Sequence, residues 1–174
     1  MSESTLKELD IQHEAGWNGD VVIISEGKIK NYSVTGTIRH ELIHAFTIGE
    51  NVKLSKNIPG WFREGIAQYY QENIYSDRLD KAYINNIMEA YQEEALISFK
   101  EMNAGSGTWK ELNTKLAYSQ AASMYFYLIN KYGENNIIKL FYSEGDFYTN
   151  LHLETGKEFE YIEKEWTEYI ISGN

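Results

Sequence analysis

The pattern of apolar positions divides the chain into a short N-terminal part with β-strand character and a long helical remainder. Residues 21–25 form an apolar run between Gly19-Asp20 and Glu26-Gly27, which predicts a strand bounded by turns. Residues 28–34 predict a second strand, because their last positions alternate between apolar and polar. Together these two segments predict a small N-terminal β-sheet.

Apolar residues spaced three and four apart predict helices over most of the remaining chain. The predicted helices cover residues 37–47, 59–75, 79–91, 112–132 and 135–142, and a last helix begins at the Thr155-Gly156-Lys157-Glu158 sequence, which matches a capping box. Gly133 ends one helix and Pro59 begins another. Aromatic residues on these helices are predicted to form the core. The predicted fold class is therefore α+β, with a small N-terminal sheet and a helix-rich C-terminal part.

Composition narrows the classes of protein to which the chain can belong. A length of 174 residues fits one domain, and 43% hydrophobic with 24% charged residues is typical of a globular protein. The chain has no cysteine, which excludes disulfides, thiolate metal sites and thiol nucleophiles. Histidine and carboxylate side chains remain as the candidate metal ligands.

Charge and hydropathy exclude two kinds of partner. The net charge of −10, from 26 acidic and 16 basic residues, opposes binding to phosphate backbones and predicts no nucleic-acid partner. No apolar run reaches the ~18–20 residues of a membrane span. The N-terminus lacks the features of a secretory signal, so we expect a cytoplasmic protein if the chain is complete and an extracellular one if it is an excised domain.

One short motif in the chain is typical of a catalytic metal site. His40-Glu41-Leu42-Ile43-His44 fits H-E-x-x-H on a helix. Residues four apart lie one turn apart on the same face, so both imidazoles can bind one cation. Glu41 is displaced around the helix and can reach a metal-bound water rather than the metal. Zinc suits this arrangement, because it lowers the pKa of bound water to about 7.

A zinc hydrolase needs a third protein ligand and an open fourth position. The extended H-E-x-x-H-x-x-G-x-x-H pattern would require glycine at 47 and histidine at 50, where the chain has Thr47 and Glu50. That pattern is therefore excluded. The other arrangement places a glutamate on the next helix, about twenty residues after the motif. Glu64 occupies such a position.

These residues resemble a known family. H-E-x-x-H followed by Pro-x-Trp-x-x-Glu-Gly-x-Ala at residues 59–67 is similar to the gluzincins, in particular to small peptidase-MA-like domains related to thermolysin and the aminopeptidases. Weaker similarity extends the resemblance over about residues 15–170. It implies a single catalytic domain over 1–174, with a short sheet and the H-E-x-x-H helix in 1–56 and the glutamate-ligand helix and a helical subdomain in 57–174.

The resemblance also implies a ligand set and an activity. Zn²⁺ would be bound by His40, His44 and Glu64, with a water as fourth ligand, and Glu41 would act as general base. The implied activity is that of a zinc metallopeptidase acting on peptides or proteins. An endopeptidase is favoured, because the chain has no Gly-x-Met-x-Asn strand of the aminopeptidase type. The alternative function is a non-catalytic binding or scaffold module that keeps the zinc site.

Three further roles follow from the same resemblance, each with a plainer alternative. Tyr118 would donate a hydrogen bond to the oxyanion, or would simply pack. Gln68 would orient a ligand histidine, or would be solvated. Val22, Ile23 and Ile24 would form an edge strand that pairs with a substrate peptide, or an interior strand. Because the sheet is short, a partner domain could supply the rest of the substrate-binding wall, and a regulator is a further candidate partner.

Overall fold

The structure is a computed structural model that describes residues 15–17, 22–24, 34–48, 57–72 and 79–173. Strands β1 (Ala15–Trp17) and β2 (Val22–Ile24) pair antiparallel, with Gly16 opposite Ile23. The α-helices of the described residues are α1 (Val34–Ile48), α2 (Gly60–Glu72), α3 (Lys81–Gln92), α4 (Thr114–Tyr132), α5 (Glu134–Ile138), α6 (Phe147–Thr155) and α7 (Phe159–Ile171). Two 3₁₀ helices cover Ser106–Glu111 and Lys139–Phe141.

The prediction of an α+β fold was wrong. In the part of the chain that the structure describes, β-structure is limited to one pair of three-residue strands, and the fold is all-α. The main hydrophobic core lies between Ile58 and Ile170, on helices and the loops that join them. A strand pair of this length is too small to form a layer of a domain. Of the predicted second strand, Val34 begins α1 and residues 28–33 lie outside the described residues.

Local sequence determines where several helices begin and end. The carbonyl of Pro59 accepts the N–H groups of Phe62 and Arg63, so α2 begins immediately after the proline, as predicted. The side chain of Asn113 accepts the Leu116 N–H and caps α4. At the other end of α4, Gly133 has a φ of 87° that a side chain would disfavour.

One predicted helix start was wrong, and one helix was missed. Thr155 ends α6, and Gly156 follows with a left-handed φ of 72°, so Thr-Gly-Lys-Glu is a helix end followed by a helix start rather than a capping box. Asp146 caps α6 by accepting the Thr149 N–H. The hydrophobic spacing of α6 is weak, which is why the pattern did not predict it.

Helix α4 is the centre of the fold. Nearly every residue from Leu116 to Leu128 is buried, and α4 contacts α2, α3, α5 and α7. Gly65 brings α2 against it, because a Cβ at position 65 would lie 2.5 Å from the backbone oxygen of Ala121. Helix α2 also packs against α1. The Glu64-Gly65 pair thus joins the core of the fold to the helix that carries the histidines.

An aromatic cluster fixes the first turn of α2. The Trp61 side chain is fully buried, and its indole N–H donates to the Tyr148 hydroxyl at 3.2 Å. The Tyr148 hydroxyl in turn donates to Asn103 at 2.6 Å. The rings that contact Trp61 are those of Phe62, Phe99, Phe147 and Phe159. Because this cluster holds the start of α2, it also holds the turn from which Glu64 projects.

Candidate metal centre

Two packed helices bring the candidate ligands together. Helix α1 carries His40, Glu41 and His44, and α2 carries Glu64. The two helices lie close, since a Cβ at Gly36 would be 3.3 Å from Cγ of Gln71. His40, His44 and Glu64 form a group of three metal-ligating side chains whose donor atoms all lie within 4.8 Å of one another.

The spacing of the three donor atoms fits a tetrahedral ion. Nε2 of His40 and Nε2 of His44 are 3.1 Å apart, and Oε2 of Glu64 lies 3.3 Å from the first and 3.4 Å from the second. In a tetrahedral site with ligand bonds of 2.0–2.1 Å, neighbouring ligand atoms are separated by about 3.3 Å. The three atoms therefore form one face of such a tetrahedron, and a fourth position remains for a further ligand.

The electrostatics of the cluster favour a negative Glu64. Burial by itself raises the pKa of this carboxyl group, but attraction to His44 and hydrogen bonds from both histidines outweigh it and hold the pKa well below its usual range. For His44, burial alone would lower the pKa. The attraction of Glu64 and its hydrogen bond to the imidazole outweigh burial, so the pKa of His44 is raised above its usual value. Glu41 contributes to that increase, which places its charge close to His44. The side chain of Glu41 is buried.

The side chain of Gln68 makes its hydrogen bond to α3 and none to the Nδ1 atom of either histidine. Its side-chain N–H donates to the Tyr83 hydroxyl on α3 at 2.6 Å. The Nδ1 atoms of His40 and His44 are buried and have no hydrogen-bond partner among the described residues. The structure therefore places the Gln68 amide in the contact between α2 and α3.

Tyr118 lies beside the candidate ligands. Its ring centroid is 6.3 Å from that of His40, with the ring planes inclined at 72°. The ring of Trp109 supports Tyr118 at 5.4 Å between centroids, and the Trp109 indole N–H donates to the Ala104 carbonyl. A buried tryptophan of the 3₁₀ helix thus holds Tyr118 near His40.

Sequence reasoning did not single out Arg63, which directly precedes Glu64 in the first turn of α2. Its side chain is partly buried, and a Cβ at Gly105 would lie 3.5 Å from its Nη2 atom. Burial lowers the pKa of the guanidinium, and the neighbouring Glu64 opposes that shift. In the sequence, the only feature that could have drawn attention to Arg63 is its position as a basic residue directly before the candidate third ligand.

The predicted substrate strand lies near the histidine helix. Both β1 and β2 contact α1. One edge of β2 pairs with β1, and the described strands provide no partner for its other edge. Val22, Ile23 and Ile24 are the three residues of β2. The first and last residues of the predicted strand, 21 and 25, lie outside the described residues.

Across the described part of the chain, the structure contains no helix with the length and apolar character needed to span a bilayer.

Comparison with known proteins gives a family and some distant relatives. The chain is 26% identical over 174 residues to proteins named DNA ligase from Thermotoga neapolitana and Thermotoga petrophila. These alignments cover 96% of this chain and 24–25% of the relatives, so the chain spans about a quarter of their length. No solved structure matches significantly. The model of the Peptidase MA superfamily matches residues 14–172. The chain therefore belongs to the Peptidase MA superfamily.

Proposed function

We propose that this protein is a zinc-dependent metallopeptidase of the gluzincin type, in which His40, His44 and Glu64 hold Zn²⁺. The observation that carries the proposal is the triangle of donor atoms, with edges of 3.1, 3.3 and 3.4 Å. Two imidazoles and one carboxylate are a donor set that catalytic zinc sites use, with the fourth position left for water or substrate. Membership of the Peptidase MA superfamily supports a peptidase rather than another metal-dependent hydrolase.

The residues around the donor atoms have distinct roles in this proposal. Bound zinc would supply a water of lowered pKa and would polarise the substrate carbonyl. The Glu41 carboxylate accepts a proton from the attacking water and then delivers it to the nitrogen of the leaving amine. The Tyr118 hydroxyl donates a hydrogen bond to the carbonyl oxygen as negative charge develops on it. Burial of Glu41 keeps bulk water from competing for its proton.

The proposed substrate is a peptide or protein segment in extended conformation. It would pair with the edge of β2 that has no partner among the described strands, through the backbone of Val22, Ile23 and Ile24. Binding along a strand suits cleavage within a chain, so we propose an endopeptidase. The whole chain, 1–174, would form one catalytic domain: residues 1–56 would contribute the strands and histidine helix, and residues 57–174 the glutamate helix and helical remainder.

The likeness to DNA ligases does not change the proposed function. Its 26% identity is low, and it covers about a quarter of those proteins. A role on DNA would require the chain to attract phosphates, whereas 26 acidic residues face 16 basic ones.

The test combines metal content with peptide cleavage. Purified protein should contain one zinc per chain and cleave members of a mixed peptide library, and a chelator should abolish cleavage. Glu41→Gln should keep the zinc and lose activity, because it removes the base and no ligand. Glu160→Gln, an exposed change of the same chemistry on α7, serves as the control.

Three outcomes would count against the proposal or a part of it. Absence of zinc in protein purified without chelator, and failure to bind it on addition, would remove the metal site. Zinc binding without cleavage of any library peptide would favour the non-catalytic module instead. Unchanged turnover in Glu41→Gln would leave the metal site in place and refute the role of Glu41.

A further inference from the structure

Arg63 directly precedes the candidate ligand Glu64, and its charged side chain is partly buried. Among the described residues its guanidinium makes no ion pair and no hydrogen bond, although the chain has 26 carboxylates for 16 basic residues. Its charge interacts electrostatically with the neighbouring Glu64 and with His44. In such an acidic chain, a partly buried arginine that pairs with no carboxylate of the described residues needs an explanation.

The position of Arg63 is unfavourable for the folded chain itself. Partial burial removes water from the guanidinium, and no hydrogen bond from the described residues replaces it. Arg63 also lies in the first turn of α2, where the positive end of the helix dipole opposes a cation. Local costs of this kind are typical of residues that serve a site rather than stability.

The Arg63 guanidinium lies against Gly105 and close enough to His44 to affect the pKa of that residue. Gly105 faces the guanidinium, and a Cβ there would lie 3.5 Å from Nη2, so a side chain at this position would cover it. The same loop continues to Trp109, which supports Tyr118 beside His40. Arg63 and Tyr118 thus approach the same segment, residues 105–109: Arg63 at Gly105 and Tyr118 at Trp109.

We infer that Arg63 binds a carboxylate of the peptide substrate next to the scissile bond, and this inference rests on the proposed function. A planar guanidinium with two parallel N–H groups matches a carboxylate in bidentate geometry. The carboxylate is an Asp or Glu side chain, as cleavage within a chain requires, or the free C-terminus of a short peptide. In the second case the enzyme would remove C-terminal residues instead of acting as an endopeptidase. Arg63 therefore selects anionic peptides, despite the overall acidity of the chain.

The test measures binding, so that it does not depend on turnover. Zinc-loaded Glu41→Gln protein is titrated with two peptide pairs by calorimetry. One pair is acetyl-penta-alanine with a free C-terminus and its amide. The other is acetyl-Ala-Ala-Asp-Ala-Ala-amide and its Asn counterpart. The two pairs distinguish the two sources of the carboxylate.

In at least one pair, we expect the anionic peptide to bind about 10- to 100-fold more tightly, the range for a hydrogen-bonded charge pair. Arg63→Gln should remove this preference and leave the neutral peptide unaffected, with zinc content and melting temperature unchanged. Arg63→Lys should retain part of the preference for the anionic peptide, because lysine keeps the positive charge but lacks the two parallel N–H groups of the guanidinium. Lys164→Gln on α7, where the lysine side chain is 75% exposed, removes one positive charge as a control.

Equal binding within both pairs, or no binding of either anionic peptide at millimolar concentration, would overturn the inference. So would an equal loss for anionic and neutral peptides in Arg63→Gln. If that variant does not fold, full anion preference in a folded Arg63→Met would have the same meaning. A carboxylate preference in a wild-type protein that cleaves nothing would refute the peptidase and retain the anion site.

Discussion

Replacement of Gly65 by alanine tests the contact that positions Glu64. A Cβ at position 65 would lie 2.5 Å from the backbone oxygen of Ala121, whereas ordinary contact begins at 3.4 Å. Helices α2 and α4 would have to separate locally by about 0.9 Å, because the obstructing atom belongs to a backbone and not to a flexible side chain. We therefore expect Gly65→Ala to weaken both the fold and the metal site.

The expected loss of stability is measured against a matched variant. Gly36 also lies in a helix, and its Cβ would meet the flexible Gln71 side chain at 3.3 Å. Both substitutions gain helix propensity, up to about 1 kcal/mol. The difference between the two variants in free energy of unfolding therefore reports mainly the clash of the new Cβ with α4. Overpacking of this kind predicts a loss of about 1–3 kcal/mol. Urea unfolding of the two variants without metal gives this difference.

The metal site provides the second measurement. A local shift of about 0.9 Å beside Glu64 exceeds the ~0.2 Å within which metal–ligand distances normally vary. Zinc affinity, measured by competition with a chromophoric chelator, should fall about 10-fold or more in Gly65→Ala and stay unchanged in Gly36→Ala. Equal stability and equal zinc affinity of the two variants would refute the reasoning that α4 sets the position of Glu64.

Three further predictions concern other parts of the structure. Tyr118→Phe should lower kcat about 10²–10³-fold in a peptide-cleavage assay, because it removes a donor to the oxyanion. Gln120→Ala should cost about 2–4 kcal/mol in urea unfolding, because buried Gln120 bonds both the N–H and the carbonyl of Ile97. Hydrogen bonds from Lys157 and then Lys131 lower the pKa of Glu165 to about 2, so Glu165→Gln should reduce thermal stability at neutral pH. That effect should shrink as pH falls from about 5 towards 2, because the stabilisation from a depressed pKa is complete above the unfolded pKa and is lost as pH falls to the folded value.

Each of these predictions has a control. Tyr118→Phe should keep its zinc content, and a kcat near wild type would rule out the hydroxyl as an oxyanion donor. Gln92→Ala, an exposed change at the end of α3, should leave the free energy of unfolding nearly unchanged. An equal loss of stability in both variants would show that the hydrogen bonds of Gln120 to Ile97 are not the cause. For Glu165, a stability difference that stays constant between pH 7 and 2 would contradict the assigned ion pairs.

The sequence predicts the helices well where a cap or a breaker coincides with strong periodicity. Helix α4 was predicted from its apolar spacing and Gly133, and its observed end at Tyr132 agrees. Helix α6 was missed, because its start depends on one aspartate and its apolar spacing is weak. The fold class was wrong because the length of a strand pair depends on pairing and packing, which a short apolar run does not encode.

For the candidate site, the helix period is enough to put His40 and His44 on one face. The distance of Glu64 from them depends on how closely α2 approaches α4 and α1, which is a property of Gly65 and its packing. Arg63 could not be found by periodicity, because what singles it out is the lack of an ion-pair partner among the residues that the structure describes. Gln68 is the opposite case: its spacing from Glu64 suggested a role at the site, but its amide hydrogen-bonds to a tyrosine on α3.

The candidate metal centre joins α2, which is anchored in the core, to α1, which is more exposed to solvent. Helix α2 is held by buried Trp61, Phe62 and Ile66, whereas α1 exposes 38% of Ile38, 42% of Leu42 and 71% of Phe46. Local opening should therefore begin at α1, with a smaller free energy than global unfolding. In hydrogen exchange without metal, the amides of α1 should lose protection before those of α2 and α4. Metal release can then proceed through this partial opening, so its rate is set by the outer helix while the core stays folded.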